Sequence, residues 1–156
     1  MIRTAIVTAP IDVAGLLAEV TTDATGATCC FVGTVRNVHE GRAVTGIEYS
    51  AYAAMAVDEM TRIGTEARAQ FGDVHIAIEH RVGALVLQDV SVAIAVAHAR
   101  RAPALDAQRF IIEELKRRVP VWKCEQYVDG ERRWVDPTAA VTLSSTAVAD
   151  ALGAAG

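Results

Sequence analysis

Between Leu115 and Glu125 the chain reads Leu-Lys-Arg-Arg-Val-Pro-Val-Trp-Lys-Cys-Glu. Pro120 constrains this stretch strongly. It has no amide hydrogen, cannot continue a helix, and pushes Val119 toward extended backbone. A helix therefore ends here and a strand begins, with Lys116 on the last helical turn and Lys123 on the strand. A junction this tight can aim both amines into one cleft, which Val119, Val121 and Trp122 would keep partly dry. Alternation along the strand puts Lys123 and Glu125 on one face and Cys124 on the other. Each lysine also has an ordinary reading. Lys116 complements the helix dipole, and Lys123 belongs to a solvated face.

The remaining elements follow from periodicity and punctuation. Ile2 to Val7 reads as a strand. Asp12 caps a helix that runs to about Val20, carrying Val13, Leu16, Leu17 and Val20 at helical spacing. Ala27 to Val35 is a strand in which Gly33 marks a bulge or a close backbone approach. Asn37 to Arg42 reads as a mobile loop, and Val44 to Tyr52 as the returning strand. Ala53 to Phe71 is a helix with Ala56, Met60, Ile63, Ala67 and Phe71 as its apolar stripe. Val74, Ile76 and Ile78 alternate with His75, Ala77 and Glu79, as in a half-buried strand. Ala84 to Leu87 and Val90 to His98 are further strands. Pro103 suits the first turn of a helix reaching Arg118, with Ala104, Ala107, Ile111 and Leu115 inward. Val121 to Val128 and Arg133 to Val135 form a hairpin around Asp129-Gly130.

Helices and strands mix without strict alternation, and two hairpins are present. This predicts an α+β fold rather than a doubly wound parallel sheet. A single domain is expected over residues 1–137. A loosely ordered tail of Ala, Ser, Thr and Gly follows over 138–156, weakly helical around Thr146 to Leu152.

Composition narrows the function. With 52% hydrophobic residues the chain can fill a core, and its net charge of −4 disfavours a general nucleic-acid or anionic-membrane binder. The basic run Lys116 to Arg118 and the pair Arg132-Arg133 leave an RNA-binding reading open, weakened by the 5% aromatic content. No apolar run is long enough to span a bilayer, and the N-terminus lacks a signal-peptide pattern, so a cytoplasmic protein is expected. The three cysteines, Cys29, Cys30 and Cys124, show no framework or metal spacing and read as buried thiols. No P-loop, dinucleotide fingerprint, zinc spacing or nucleophile elbow is present, so no cofactor or metal is expected.

Other polar residues have both functional and ordinary readings. Arg36 follows a glycine-containing strand, and its planar guanidinium suits a phosphate. Arg100 and Arg101 stand at a helix start, where cations oppose the dipole and an anionic ligand would explain them. His80 reads as a structural, hydrogen-bonded histidine. His75 and His39 read as surface residues.

The Leu115–Glu125 stretch resembles the LK-x-x-V-P-I-W-K-x-E signature of the large, catalytic subunit family of molybdopterin synthase. Phe31-Val-Gly-Thr-Val-Arg36, Ile47-Glu-Tyr49, His80-Arg-Val-Gly83 and Arg100-Arg101 agree with it in order, over roughly residues 2 to 135. The resemblance implies the α/β-hammerhead fold and a homodimer within a heterotetramer. It implies a sulfurtransferase of molybdenum cofactor biosynthesis. The partner would be a small ubiquitin-like sulfur carrier ending in a Gly-Gly thiocarboxylate, and the substrate cyclic pyranopterin monophosphate. By the same resemblance Lys116 and Lys123 are catalytic. Thr34, Val35, Arg36, Arg100, Arg101, Lys116, Lys123, Cys124 and Glu125 bind substrate. The segment Ala97-His98-Ala99-Arg100-Arg101 departs from the family's Ala-His-Arg-x-x-Ala-Phe. An ungapped register puts Arg100 at the family's histidine, and a gapped one keeps His98 there. A non-catalytic anion-binding or scaffold homologue of the same fold is the alternative.

Overall fold

The computed structural model describes residues 1–135, and the expectations for the tail over 138–156 lie outside them. The described elements run β1 (Ile2–Val7), α1 (Val13–Val20), β2 (Ala27–Thr34), β3 (Val38–His39), β4 (Arg42–Ala51), α2 (Ala53–Phe71), β5 (His75–Arg81), β6 (Gly83–Val86), β7 (Val90–His98), α3 (Arg101–Arg118), β8 (Val121–Tyr127) and β9 (Arg132–Val135). The α+β class is as the sequence predicts. Asp12 caps α1 by accepting the amide of Gly15.

One sheet has the order β1-β5-β7-β2, parallel only between β1 and β5. On β7, Val92, Ile94 and Val96 join the core formed with α2 and α3, whereas Ala93, Ala95 and Ala97 join the smaller core under α1. Period-two alternation thus sorts branched side chains from alanines between the two faces. Because helices cover both faces, β5 is not the half-buried strand expected: Ile76, Ala77 and Ile78 are all fully buried.

The second sheet has the order β3-β4-β8-β9, with β6 also paired to β4. The expected loop over Asn37 to Arg42 is a hairpin. Val38 pairs with Ala43 and His39 with Arg42 around Glu40 and Gly41, both at positive φ. Two such residues make a two-residue hairpin turn. The α3 helix begins two residues earlier than predicted and ends at Arg118. At its end the Val119 amide donates to Leu115 at 3.1 Å and the Val121 amide donates to Val119 at 2.8 Å. The second bond closes a γ-turn centred on Pro120, whose ring presets the required φ.

Gly46 lies between β6 and β8, where β4 also shifts register. A Cβ there would sit 2.8 Å from the Leu85 carbonyl oxygen. Two hydrogen-bonded backbones leave no room for relaxation. Gly46→Ala should cost about 2 kcal/mol, read as a lower urea midpoint with an unchanged denaturant slope.

Candidate functional site

Two adjoining cavities meet at the α3–β8 junction. The first, about 340 Å³, is lined mainly by apolar groups, including Tyr49, Val92, Ile112, Leu115, Val119 and Val121. The second, about 250 Å³, is lined by Thr34, Arg36, His39, Val44, Ile47, Lys116, Lys123 and Glu125. Lys116, Lys123 and His39 line both. The fold therefore brings both lysines to the same two cavities.

Local structure explains each placement. The basic last turn of α3 contains Lys116, Arg117 and Arg118. Arg117 pairs with Glu114, and Arg118 pairs with Glu59, Glu66 and Glu114, two of which belong to α2. Those bonds fix the turn from outside. Lys116 makes no ion pair among the described residues and remains available to the cavities. Lys123 is held from within: its Nζ donates to Glu125 Oε1 at 2.9 Å. A register shift between Gly33 and Thr34 ends the regular pairing of β2 with β7. A bulge of this kind re-aims the following side chains, here Thr34 and Arg36.

Glu125 is only 1% exposed. Its Oε2 accepts from the Tyr127 hydroxyl at 2.7 Å, and His39 Nδ1 lies 3.3 Å from Oε1. Burial alone would raise its pKa. The bonds from Lys123 and Tyr127, with the Lys123 charge, outweigh burial and hold the carboxyl below its ordinary range. The second cavity therefore presents three cations, Arg36, Lys116 and Lys123, against one carboxylate already engaged. Its chemistry is that of an anion site.

Several predicted residues lie elsewhere. Val35 is 3% exposed and packs with Val44, Ile47, Leu85 and Tyr127. Its amide and carbonyl are both bonded, to Asp89 and Gln88. Cys124 is buried, and its side chain lines neither cavity. Trp122 is 40% exposed and also lines neither. Arg100 and Arg101 precede and open α3, whereas Lys116 lies on its last turn. Fifteen residues of helix, about 22 Å, separate Arg101 from Lys116. Within one chain they cannot share a ligand the size of a pterin. His98 is bound up locally, its Nδ1 accepting the Arg100 amide at 3.0 Å.

Three wall residues were not expected. His39 is drawn in by the β3–β4 hairpin. Its side chain is 18% exposed rather than a free surface group. Tyr49 sits directly across from Lys123 in the β4–β8 pairing. His80 is hydrogen-bonded as predicted, to Arg81, but is also buried and lines the apolar cavity.

A family model described as MoaE protein matches residues 6–118. The molybdopterin synthase catalytic subunit 1 of Aedes aegypti is 49% identical over 107 residues, 68% of this chain and 69% of that protein. The molybdopterin synthase catalytic subunit of Halalkalibacterium halodurans is 38% identical over 133 residues, 85% of each chain. A crystal structure of molybdopterin synthase from Staphylococcus aureus matches with a TM-score of 0.81 at 33% identity, covering 84% of this chain and 95% of that one. A complex of subunits 1 and 2 of the molybdopterin-converting factor from Helicobacter pylori shares the fold, with a TM-score of 0.71 at 23% identity, covering 85% of this chain and 89% of that one.

The buried carboxylate sets a pH signature. Glu125→Gln keeps the volume but weakens the bonds from Lys123 and Tyr127, so it should cost about 2 kcal/mol at neutral pH. Because the folded-state pKa lies below the unfolded one, this contribution is fully present above the ordinary carboxylate value of about 4.3. It is lost as pH falls through the depressed folded value. Urea unfolding of both proteins across this range should show the stability gap closing in acid.

Proposed function

We propose, since the chain belongs to the MoaE protein family, that it is the catalytic subunit of a molybdopterin synthase. In this reading it moves sulfur from a thiocarboxylated carrier subunit to cyclic pyranopterin monophosphate. The observation that carries the reading is the pair Lys116 and Lys123, shared by an apolar cavity and a cationic one. The cationic cavity suits the cyclic phosphate, with Arg36 as its planar donor. The apolar cavity suits the carrier's extended Gly-Gly end, whose backbone brings no side chains. The thiocarboxylate then meets the pterin between the two amines.

The chemistry needs little more from the protein. A thiocarboxylate sulfur is already nucleophilic, so no protein thiol takes part, in keeping with Cys124 outside both cavities. The lysines gather two anions and stabilise the charge that develops as sulfur bonds to pterin carbon, in a site from which apolar walls exclude water. Glu125 holds the Lys123 amine in place and leaves its remaining protons for substrate. Two rounds give the dithiolene of molybdopterin.

Arg100 and Arg101 enter this reading only through a second copy of the chain. A homodimer in which the start of one α3 meets the junction of its partner would supply them across the interface. Mixing Lys123→Ala chains with Arg101→Ala chains tests this. Mixed dimers should regain one working site of two, whereas each parent should be impaired at both sites. Without restoration in confirmed mixed dimers, supply in trans is refuted.

Each lysine should contribute on the order of 3 kcal/mol to the transition state, about a hundredfold in rate. Single-turnover sulfur transfer by Lys116→Ala and Lys123→Ala should fall by that factor, with carrier affinity measured separately and nearly unchanged. Near-normal transfer by both variants would leave the scaffold reading in its place.

A further inference from the structure

His80 is 6% exposed, yet its ring forms part of the wall of the apolar cavity. Its Nδ1 lies 3.0 Å from the Arg81 carbonyl oxygen. A carbonyl can only accept, so Nδ1 carries the proton and Nε2 bears the lone pair. Among the described residues Nδ1 makes the one hydrogen bond of this ring, and Nε2 makes none. Burial lowers the imidazole pKa to about 4, so the ring is neutral near pH 7. Tyr49 fixes its orientation edge-on, with ring centroids 5.2 Å apart and planes at 71°. Tyr49 is also the direct cross-strand partner of Lys123. His80, Tyr49 and Lys123 all line this one cavity.

Sulfur transfer requires a step that neither lysine is suited to perform. When the thiocarboxylate sulfur bonds to pterin carbon, the carrier becomes joined to the pterin through a thioester. The sulfur is delivered only when the acyl–sulfur bond breaks, and water must take its place on the acyl carbon. An ammonium can polarise the acyl oxygen but cannot accept the proton of that water. We propose that His80 is the general base for this hydrolysis, accepting the water proton at Nε2. The assignment rests on the sulfur-transfer reading above.

The step balances. Water gives one proton to Nε2 while its oxygen adds to the acyl carbon. The acyl–sulfur bond then breaks, and its electron pair leaves on the sulfur bound to the pterin. The carrier is released as a carboxylic acid, which loses its proton to solvent, and the imidazolium does the same. Burial makes the ring a weak base in the empty cavity. Two anions entering beside it favour its protonated form and strengthen it when substrates are in place.

His80→Asn is the informative variant. Its side-chain amide can replace Nδ1–H toward the Arg81 carbonyl while leaving nothing at the Nε2 position. His80→Gln is the second variant, with an amide near Nε2 but no base. Each is mixed with the thiocarboxylated carrier and the cyclic pterin, quenched at intervals and read by intact mass of the carrier. The expected result is thioester formation at the wild-type rate followed by decay slowed at least about a hundredfold, so that the carrier–pterin adduct accumulates. Decay at the wild-type rate in either folded variant overturns the assignment. So does an equal slowing of formation and decay, which is what a merely structural histidine would produce, or failure of both variants to fold. A wild-type protein that converts no pterin refutes the sulfur-transfer reading, and this assignment with it.

Discussion

The γ-turn at Pro120 is the constraint on which the site depends. A helix and a strand that meet through one residue cannot change their relative direction without breaking the Val121–Val119 bond or unwinding the last turn of α3. The relative position of the Lys116 and Lys123 backbones is therefore set by this turn. The carboxylates of α2 and α3 around Arg118 hold the helix end, and β4 and β9 hold the strand start on either side. This is the arrangement a charge-stabilising site needs, because donors positioned before the reaction do not have to reorganise during it.

Glu125 adds a second level of control. A fully buried carboxylate is costly unless its lone pairs are engaged. Here Lys123 and Tyr127 engage both oxygens, with His39 close by. The same bonds that keep it ionised also fix the direction of the Lys123 amine. One acid in a cationic pocket thus limits repulsion between the lysines without cancelling the attraction for anions.

Local signals in the sequence were sufficient for the junction. Proline, the apolar stripe of α3 and strand alternation place Lys116, Lys123, Glu125 and Cys124 correctly. What depended on distant pairing was not legible. His80 and Tyr49 meet only because β4 pairs with β6 and β8 while β5 packs in the other sheet. His39 was missed because Glu-Gly is not the favoured pair for a two-residue hairpin, so the stretch read as a loop. Val35 stands beside Arg36 in sequence, but past the end of β2 its backbone bonds to Asp89 and Gln88 and its side chain joins the apolar cluster of the second sheet. Arg100 and Arg101 carry suitable charge, but one helix length removes them from the site in their own chain.

The alanine face of β7 has its own consequence for how the molecule tolerates change. Under α1 the sheet presents Ala77, Ala93, Ala95 and Ala97, and none of these lines the cavities. Under α2 and α3 it presents branched residues continuous with Ile112, Leu115, Val119 and Val121, which also form cavity wall. Substitutions in the first layer act on stability alone, because the sheet stands between them and the lysines. Substitutions in the second layer act on stability and on the shape of the site together. Change in α1 and its alanine bed therefore answers to packing alone, while the opposite face is held by two demands at once.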